Sequence, residues 1–280
     1  MDVAALRVPP GRPDLAAIET DAAPGFDGRK ADGIAALAAL GPELADLQER
    51  LFAEGRNGAS RSVLLVLQGM DTSGKGGTLR HTVGLFDPQG VRITSFRAPT
   101  EEERAQDFLW RIAKAVPTAG HIGVFDRSHY EDVLIARVRQ LAPALEIERR
   151  YGAINEFEHE LVEGGTTVIK CLLHISPEEQ KERLLARLDD PTKHWKYNPG
   201  DVDERGLWPA YREAYEIAVE RTNTEHAPWH VIPGDKKWFR NLAIGHLLLA
   251  ALRRLDPQWP VADFDVAAER ARLENEDPIR

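Results

Sequence analysis

A chain of 280 residues, of which 42% are hydrophobic and 29% charged, is long enough and apolar enough for one large α/β domain. The net charge of −9 argues against general nucleic-acid binding, and the single cysteine, Cys171, excludes an intrachain disulfide. No secretory signal opens the sequence and no apolar run is long enough to cross a bilayer, so we expect a soluble cytoplasmic protein without a membrane partner.

Residues 1–30 are rich in Pro, Gly, Ala and Asp, and they predict an irregular arm that packs on the body of the protein or on a neighbouring subunit. Apolar residues at helical spacing then predict a helix over 31–54. From residue 61 onward short apolar strands alternate with amphipathic helices, and the charged tail 261–280 is expected to fray or to pack peripherally. The predicted strands are 62–68, 91–96, 121–126, 166–175 and 229–234. The helix that follows the first strand is predicted to end near 86. The later predicted helices are 101–116, one that begins at about 129, 144–163, 177–188, 202–222 and 235–255.

Strands that alternate with helices predict a parallel sheet covered by helices on both faces, which is a three-layer α/β/α architecture. We therefore expect a single domain over 31–260 with five parallel strands. Two helix starts carry local signals: Thr100 and Glu103 form a capping box, and Ser176 precedes a proline at the first helical position. Ligands of such sheets bind at the carboxyl ends of the strands, so the functional residues are expected in the loops that follow them.

The first strand leads into "LQGMDTSGKGGTLR", residues 67–80, which fits the phosphate-loop pattern G-x-x-x-x-G-K but lacks the Ser or Thr that normally follows the lysine. Backbone N–H groups of a glycine-rich turn and the start of a helix form an anion site, and Lys75 is expected to bridge terminal phosphates. A flexible turn with a solvated lysine is the alternative. The candidate phosphate-binding residues are Gly69, Ser73, Gly74, Lys75, Gly76, Gly77 and Thr78.

Two acidic residues predict how such a loop holds a metal ion. Asp126 ends the strand 121–126, the position of the acid that organises magnesium in phosphate-loop enzymes, and Arg127 beside it is placed to contact phosphate oxygens. Asp71 lies inside the loop. If both carboxylates reach magnesium, no hydroxyl after Lys75 is needed, because magnesium commonly takes one or two carboxylates together with phosphates and waters. The alternatives are that Asp71 only shapes the turn and that Asp126 caps the next helix.

Basic residues later in the chain predict a lid over about 180–200. Arg183 and Arg187 share one helix face, and the following loop contains Lys193. Lids of phosphoryl-transfer enzymes exclude water and supply positive charge to the transferred group. The alternative is a solvated helix face paired with neighbouring glutamates. Arg104 and Arg111, on the predicted helix 101–116, extend the basic path.

Four motifs in this order resemble the polyphosphate kinase 2 family: "GMDTSGKGGT", "FDRSHYEDVL", "DDPTKHWKY" and "APWHVIPGDKKW". The resemblance extends over residues 35–255, most of the chain. "SHYEDVL" and "DFLWRIAKAVP" (107–117) are most similar to the single-domain branch called class III, which is associated with phosphorylation of both AMP and ADP.

The resemblance implies a thymidylate-kinase-like phosphate-loop fold with a helical lid, and reversible phosphoryl transfer between inorganic polyphosphate and AMP or ADP with Mg²⁺ or Mn²⁺. It implies adenine nucleotides as partners, with guanine nucleotides as a further candidate, and a homodimer or homotetramer. It assigns catalytic roles to Asp71, Lys75, Asp126, Arg127 and a lid arginine, for which Arg187 is the first choice and Arg183 the second. The polyanionic donor of a net-negative chain needs a local basic groove, expected to consist of Lys75, Arg127, Arg183, Arg187, Arg104, Arg111 and Lys193.

The sequence departs from the family at two positions. Many members have Asp where this chain has Gly76, and single-domain relatives often have Asn where it has Asp126. The second departure strengthens Asp126 as a metal ligand. Two other functions remain open at this point: an ATP-dependent nucleoside monophosphate kinase, which would share the fold and the loop, and a non-catalytic nucleotide-binding module.

Overall fold

Five parallel strands form the centre of the protein, in the order β2-β3-β1-β4-β5. The computed structural model describes residues 1–276. The predicted five-stranded parallel sheet is confirmed, and each strand lies within one or two residues of its predicted bounds. The strands are β1 (Ser62–Gln68), β2 (Val91–Ser95), β3 (Ile122–Asp126), β4 (Thr166–His174) and β5 (Trp229–Pro233).

The strand register places the functional loops side by side. Leu67 of β1 is paired with Asp126 of β3, so both strands end at the same edge of the sheet. All seven residues of β1 are buried because helices cover both faces of the sheet, which is why this strand is a continuous apolar run. The glycine-rich loop and the segment after Asp126 therefore emerge next to each other.

Helices pack on both faces of the sheet, as the three-layer prediction requires. One core lies between the sheet and the helices α1, α2 and α10, and the other lies between the sheet and the helices α6 and α9. The α-helices are α1 (Lys30–Arg56), α2 (Lys75–His81), α3 (Glu101–Arg104), α4 (Trp110–Ala113), α5 (Ile135–Val138), α6 (Ala144–Glu163), α7 (Pro177–Leu188), α8 (Gly200–Arg205), α9 (Trp208–Thr222), α10 (Lys237–Leu255) and α11 (Val266–Asn275). Short 3-10 helices occupy Val3–Leu6, Val83–Leu85, Pro88–Gly90, His129–Asp132 and Pro191–Lys196.

Two predicted helices are each divided in the structure. The capping box at Thr100 is present, but its helix ends at Arg104 instead of continuing to residue 116. The Asp107 carboxylate accepts the backbone N–H of Leu109 at 2.9 Å, a local bond that competes with helix continuation. The predicted helix 202–222 is divided into α8 and α9, because Pro209 has no N–H to donate and is tolerated only in the first turn of a new helix.

Two further predicted helices are shorter or different in type. The helix after the glycine-rich loop ends at His81 and is followed by a 3-10 turn, and the stretch from 129 is a 3-10 helix followed by the four-residue α5. Thr82 donates its hydroxyl to the Asn241 carbonyl at 3.0 Å, which fixes the end of α2 against α10. This contact joins residues 159 positions apart, so the local sequence around α2 does not reveal it.

The N-terminal arm packs on the body of its own chain. The Val8 N–H donates to the Trp229 carbonyl at 2.9 Å, and Leu6, Val8 and Leu15 are buried. The arm therefore covers β5, which would otherwise be a bare sheet edge. At the other end of the described chain, every residue of α11 is exposed. Among residues 1–276, no helix has both the length and the hydrophobicity that a bilayer crossing demands.

Candidate active site

The glycine-rich loop connects β1 to α2 through a backbone that needs unusual dihedral angles. Gly69 has φ 151° and Gly74, immediately before α2, has φ 109°, which side-chain-bearing residues rarely adopt. Thr72 has φ 64° although it is not a glycine. Such strain persists only where surrounding contacts impose it, and it is concentrated at functional sites. The loop is therefore held in one defined shape ahead of the N-terminus of α2.

Lys75 is folded back over this loop. Its Nζ donates to the carbonyls of Gly69 at 2.8 Å and Met70 at 3.4 Å, and the residue is only 9% exposed. Burial and the nearby Arg127 lower the pKa of Lys75, whereas the carboxylates of Asp71 and Asp126 act in the opposite direction. The lysine thus lies among the acids and the arginine that the sequence singled out.

Asp71 and Arg127 form an ion pair between the loop and the end of β3. Arg127 Nη2 donates to Asp71 Oδ1 at 2.6 Å, and Arg127 itself has φ 64°. Burial alone would lower the pKa of Arg127, but Glu131 and Asp71 outweigh it and raise that pKa. Asp126 lies at the end of β3, where its Oδ2 accepts the Ser95 hydroxyl at 3.5 Å. The structure brings Asp71, Lys75, Asp126 and Arg127 together, and their roles remain predictions.

Arg183 lies beneath the loop, and all three nitrogens of its guanidinium group donate hydrogen bonds. Its Nη1 donates to the carbonyls of Thr72 at 2.8 Å and Ser73 at 3.1 Å, and its Nη2 donates to Gly234 at 2.6 Å. Its Nε donates to Glu179 at 2.6 Å, the helix-face pairing that the sequence left open. With its side chain 8% exposed, Arg183 braces the backbone of the loop.

Arg187 lies one turn further along α7 and is more accessible. Its Nη1 donates to the Lys196 carbonyl at 2.8 Å and lies 3.7 Å from Asp201 Oδ2. Burial and the neighbouring Asp71 raise the pKa of Asp201. Lys193 pairs with Asp190 at 2.7 Å on the exposed 3-10 helix. The segment 180–200 that was predicted as a lid therefore consists of most of α7 and the 3-10 helix, and α8 follows it. Asp201 of α8 lines the smaller of two cavities at the end of the sheet, whereas Arg187 lines neither.

A second arginine under the loop, Arg240 of α10, was not predicted. Its guanidinium is buried, with Nη1 3.4 Å from the Ser73 carbonyl and Nη2 bonded to Asn241 Oδ1 at 2.9 Å. Burial, reinforced by Arg183, lowers the pKa of Arg240 to about 10. In "KKWFRNLAIG" one arginine interrupts an apolar helix face, which suggests that Arg240 is buried with a polar partner. The sequence does not reveal which group that partner is.

The remaining loop positions differ in what surrounds them. A Cβ on Gly77 would lie 2.5 Å from Arg240 Nη2, whereas a Cβ on Gly76 would meet no atom within 4 Å. Ser73 is completely buried, and Thr78 donates its hydroxyl to the Gly74 carbonyl at 3.4 Å within its own helix. The Thr78 hydroxyl is thus engaged by the backbone, which agrees with a loop that holds its metal by other groups.

Two cavities meet at the end of the sheet. A cavity of about 230 Å³ adjoins the loop and has a polar lining. A cavity of about 650 Å³ lies beside it and combines aromatic rings with arginines. Both are bounded by Arg127, Glu131 and Ile135, so Arg127 and Glu131 stand at their junction. The smaller is lined by Asp71, Gln180, Asp201, Tyr211 and Tyr215, and the larger by Phe96, Phe108, Arg104, Arg111 and Arg150.

Arg104 and Arg111 belong to the larger cavity instead of the loop. Arg111 donates to the Arg97 carbonyl at 2.8 Å, and its guanidinium lies 5.6 Å from the centre of the Phe96 ring. Arg104 donates to the Pro99 carbonyl at 2.7 Å and is exposed. The basic path foreseen on the helix 101–116 therefore lies along the wall of this cavity.

Glu131 was not selected from the sequence, although it stands in the motif "SHYEDVL". Burial raises the pKa of Glu131, while Arg127 and Lys75 act to lower it. A glutamate two residues into a 3-10 helix has no sequence signature that reveals which way it points. Its position at the cavity junction makes it a candidate for contact with either substrate.

Asp71 and Asp126 are candidate ligands for a metal ion that phosphate groups would also bind. Among residues 1–276, no group of three or more His, Cys, Asp or Glu side chains is arranged to hold a metal. The carboxylates of Asp71 and Asp126 both act to raise the pKa of Lys75. Magnesium commonly takes one or two carboxylates from a protein, and phosphates and waters complete its coordination shell.

The fold and the site are those of a phosphotransferase with the phosphate-loop kinase fold. A glycine-rich loop follows β1, Lys75 begins the next helix, and Asp126 ends the neighbouring parallel strand. The sequence profile of the family described as "Polyphosphate kinase 2 (PPK2)" matches residues 28–260. The chain therefore belongs to the polyphosphate kinase 2 family.

Individual relatives agree with this assignment. The "AMP/ADP-polyphosphate phosphotransferase" of Meiothermus ruber is 46% identical over 266 residues, which cover 95% of this chain and 97% of that protein. The "ADP-polyphosphate phosphotransferase" of Rhodopseudomonas palustris is 38% identical over 229 residues, 78% of each chain. The crystal structure of polyphosphate kinase 2 from Arthrobacter aurescens TC1 superposes with a TM-score of 0.95 at 57% identity, covering 99% of this chain and 98% of that one. These matches favour the polyphosphate-dependent enzyme over the two alternatives left open by the sequence.

Proposed function

We propose that this protein transfers phosphoryl groups reversibly between inorganic polyphosphate and both AMP and ADP. Family membership supports polyphosphate as the donor, and the name of the Meiothermus ruber relative, which matches over nearly the whole chain, supports AMP and ADP as acceptors. The name of the Rhodopseudomonas palustris relative mentions ADP alone.

The observation that carries the proposal is the pair of cavities that meet at Arg127 and Glu131. A phosphotransferase must bring two phosphorylated substrates end to end. The smaller cavity adjoins the loop, and the described residues of its lining set the carboxylates of Asp71, Glu131, Asp201 and Glu204 against the single cation Arg127. The terminal phosphates of polyphosphate would therefore enter it together with a metal ion that neutralises these charges.

The larger cavity, with Phe96 and Phe108 in its wall, has the size and mixed lining of a nucleotide site. Under this proposal its Arg104 and Arg111 contact the nucleotide phosphates instead of lining the polyphosphate groove expected from the sequence.

Local charge explains how a protein with a net charge of −9 binds a polyanion. Lys75 and Arg127 lie at the loop, and Arg187 lies 3.7 Å from Asp201, a residue that lines the smaller cavity. Within a partly enclosed site their attraction for phosphate is much stronger than in bulk water. Arg183 supports this site from below by fixing the carbonyls of Thr72 and Ser73, so we assign direct contact with substrate to Arg187 first.

Asp71 and Asp126 would hold Mg²⁺, or Mn²⁺, which when bound neutralises charge on both phosphates. The residues of the chain then act by position. Arg127, fixed by Asp71, orients the incoming phosphate at the junction, and Lys75 stabilises charge on the transferred group. The terminal phosphate of a nucleotide is already ionised near neutral pH, so none of these residues needs to remove a proton from it.

The assembly and the wider substrate range belong to the same proposal. We propose a homodimer or homotetramer and adenine nucleotides as the preferred acceptors, with guanine nucleotides as a test case. Light scattering coupled to size exclusion measures the assembly. Initial rates with AMP, ADP, GMP and GDP at fixed polyphosphate rank the acceptors.

The decisive experiment supplies AMP or ADP with polyphosphate and magnesium, without ATP, and separates the nucleotides by chromatography. We expect ADP and ATP from AMP, and ATP from ADP. Chelation of the metal and the variant Lys75→Met should each abolish product. If AMP were phosphorylated only after ATP is added, the protein would be an ATP-dependent kinase and the proposal would be wrong.

A further inference from the structure

A fully buried polar cluster lies behind the active site and takes no part in substrate contact. His129, Tyr130, Glu158 and Lys170 all have 0% exposure. Glu158 Oε2 accepts from Lys170 Nζ at 2.6 Å, and Glu158 Oε1 accepts from the Tyr130 hydroxyl at 2.8 Å and from His129 Nε2 at 3.2 Å. Lys170 also donates to the Tyr130 oxygen at 3.0 Å and to the Thr222 carbonyl at 2.7 Å.

This cluster joins elements that are distant in sequence. Glu158 belongs to α6, Lys170 belongs to β4, and Thr222 is the last residue of α9. His129 and Tyr130 open the 3-10 helix that follows β3. The ion pair therefore fixes the short segment after β3 to three elements of the rigid frame.

A buried ion pair is weak evidence for stability, because the cost of removing two charges from water offsets their attraction, and apolar residues of similar volume often serve as well. Directional hydrogen bonds, in contrast, restrict how a segment lies. The segment held here is flanked by Arg127, whose φ of 64° is strained for a non-glycine residue. A strained residue keeps its conformation only if its surroundings impose it.

We propose that the Glu158–Lys170 pair is a positioning device for phosphoryl transfer. By holding His129 and Tyr130 inside the core, it keeps the neighbouring residues Arg127 and Glu131 at the junction of the two cavities. This inference rests on the proposed function, since the junction is where the two substrates meet. Glu158, Lys170 and Tyr130 are positioning residues and touch neither substrate.

Tyr130→Phe is the sharpest test, because it removes both hydrogen bonds of the hydroxyl and retains the ring. Glu158 and Lys170 still satisfy each other, so the fold should survive. We expect kcat to fall roughly tenfold with both AMP and ADP, while KM for polyphosphate changes less than about twofold. We also expect faster amide hydrogen exchange over residues 126–132.

Tyr151→Phe is the matched control. Tyr151 is a buried tyrosine of α6 in the same apolar core, and its hydroxyl has no hydrogen-bond partner within the described chain, residues 1–276. Loss of that hydroxyl should leave kcat and the exchange rates of 126–132 at their parent values. Equal effects of the two substitutions would show that a buried hydroxyl matters only for packing, and would overturn the proposal.

The double variant Glu158→Leu with Lys170→Met removes both charges together. A single substitution would leave one buried charge unpaired and could prevent folding. The double variant should melt below the parent, because the Tyr130 hydroxyl, His129 Nε2 and the Thr222 carbonyl lose their partners. At a temperature where it is fully folded, it should still lose at least about tenfold in kcat. Parent-like kcat and parent-like exchange in this variant would sink the positioning role. An inactive parent protein would overturn the proposed function. Hydrogen exchange does not require turnover, so the exchange rates of residues 126–132 would still test the positioning proposal.

Discussion

Arg127 and Asp71, which are 56 residues apart in the sequence, are joined by a hydrogen bond of 2.6 Å across the carboxyl ends of two adjacent strands. The pair connects the phosphate loop to the segment after β3, so it joins the groups that we assign to the metal and to the phosphates. The two side chains are 40% and 28% exposed. A pair of this exposure contributes little to stability, so its importance lies in where it places the charges.

Asp71→Asn should therefore impair catalysis much more than folding. It removes the charge that we assign to the metal and weakens the hold on Arg127. We expect kcat/KM to fall at least about a hundredfold, or about 2.7 kcal/mol of transition-state stabilisation, and the magnesium concentration for half-maximal rate to rise. Thr78→Ala is the control, because the Thr78 hydroxyl is bonded within its own helix. A larger loss in Thr78→Ala than in Asp71→Asn would restore the hydroxyl as the metal ligand.

Substitutions of Arg183 and Arg187 should differ in their effects on stability and activity. Arg183→Ala deprives the carbonyls of Thr72, Ser73 and Gly234 of a buried donor, and we expect roughly 3 kcal/mol of lost stability together with lost activity. Arg187→Ala removes a more exposed side chain, so the melting temperature should barely change while turnover falls at least about tenfold. Thermal denaturation and initial rates measure both. The opposite pattern would exchange the two roles.

Adjacent glycines in the loop should respond oppositely to alanine. Gly76→Ala adds a Cβ into open space at the second residue of α2, so we expect a gain of about 0.5–1 kcal/mol from the stiffer unfolded chain. Gly77→Ala places a Cβ 2.5 Å from buried Arg240, and we expect a loss of about 1–3 kcal/mol. Denaturant unfolding of the pair measures the difference. Equal stabilities would mean that Arg240 does not support the loop.

Glu131 should make stability depend on pH. Because burial raises the pKa of Glu131 above its ordinary 4.5, the unfolded chain loses this proton at a lower pH than the folded protein does. The contribution of Glu131 to stability is therefore full below the ordinary pKa and is lost as the pH rises through the folded pKa. Glu131→Gln should raise the melting temperature relative to the parent at about pH 8, and less so at about pH 5. The exposed Glu102→Gln serves as control, and a pH-independent difference for Glu131→Gln would contradict the prediction.

Much of the fold follows from local signals. The strand 62–68 and the helix 144–163 have the bounds that their apolar patterns predicted, and the capping residues Thr100 and Ser176 bond as expected. Apolar spacing and capping depend only on residues a few positions apart, so sequence suffices. We did not predict that the helices 101–116 and 202–222 are each divided in two. Asp107 and Pro209 are local signals for these breaks.

The sequence by itself determined that a glycine-rich loop joins the first strand to a helix, because strand-loop-helix order and residue type are local signals. From the same signals it predicted Asp71, Lys75, Asp126 and Arg127 as site residues. Only the tertiary structure decided that Arg183 and Arg240 brace the loop from below, and that Glu131 stands between two cavities. The physical reason is the direction of long side chains. An arginine on a helix reaches solvent, substrate or backbone carbonyls with equal ease, and what it meets depends on which strands and helices the whole chain packs beside it.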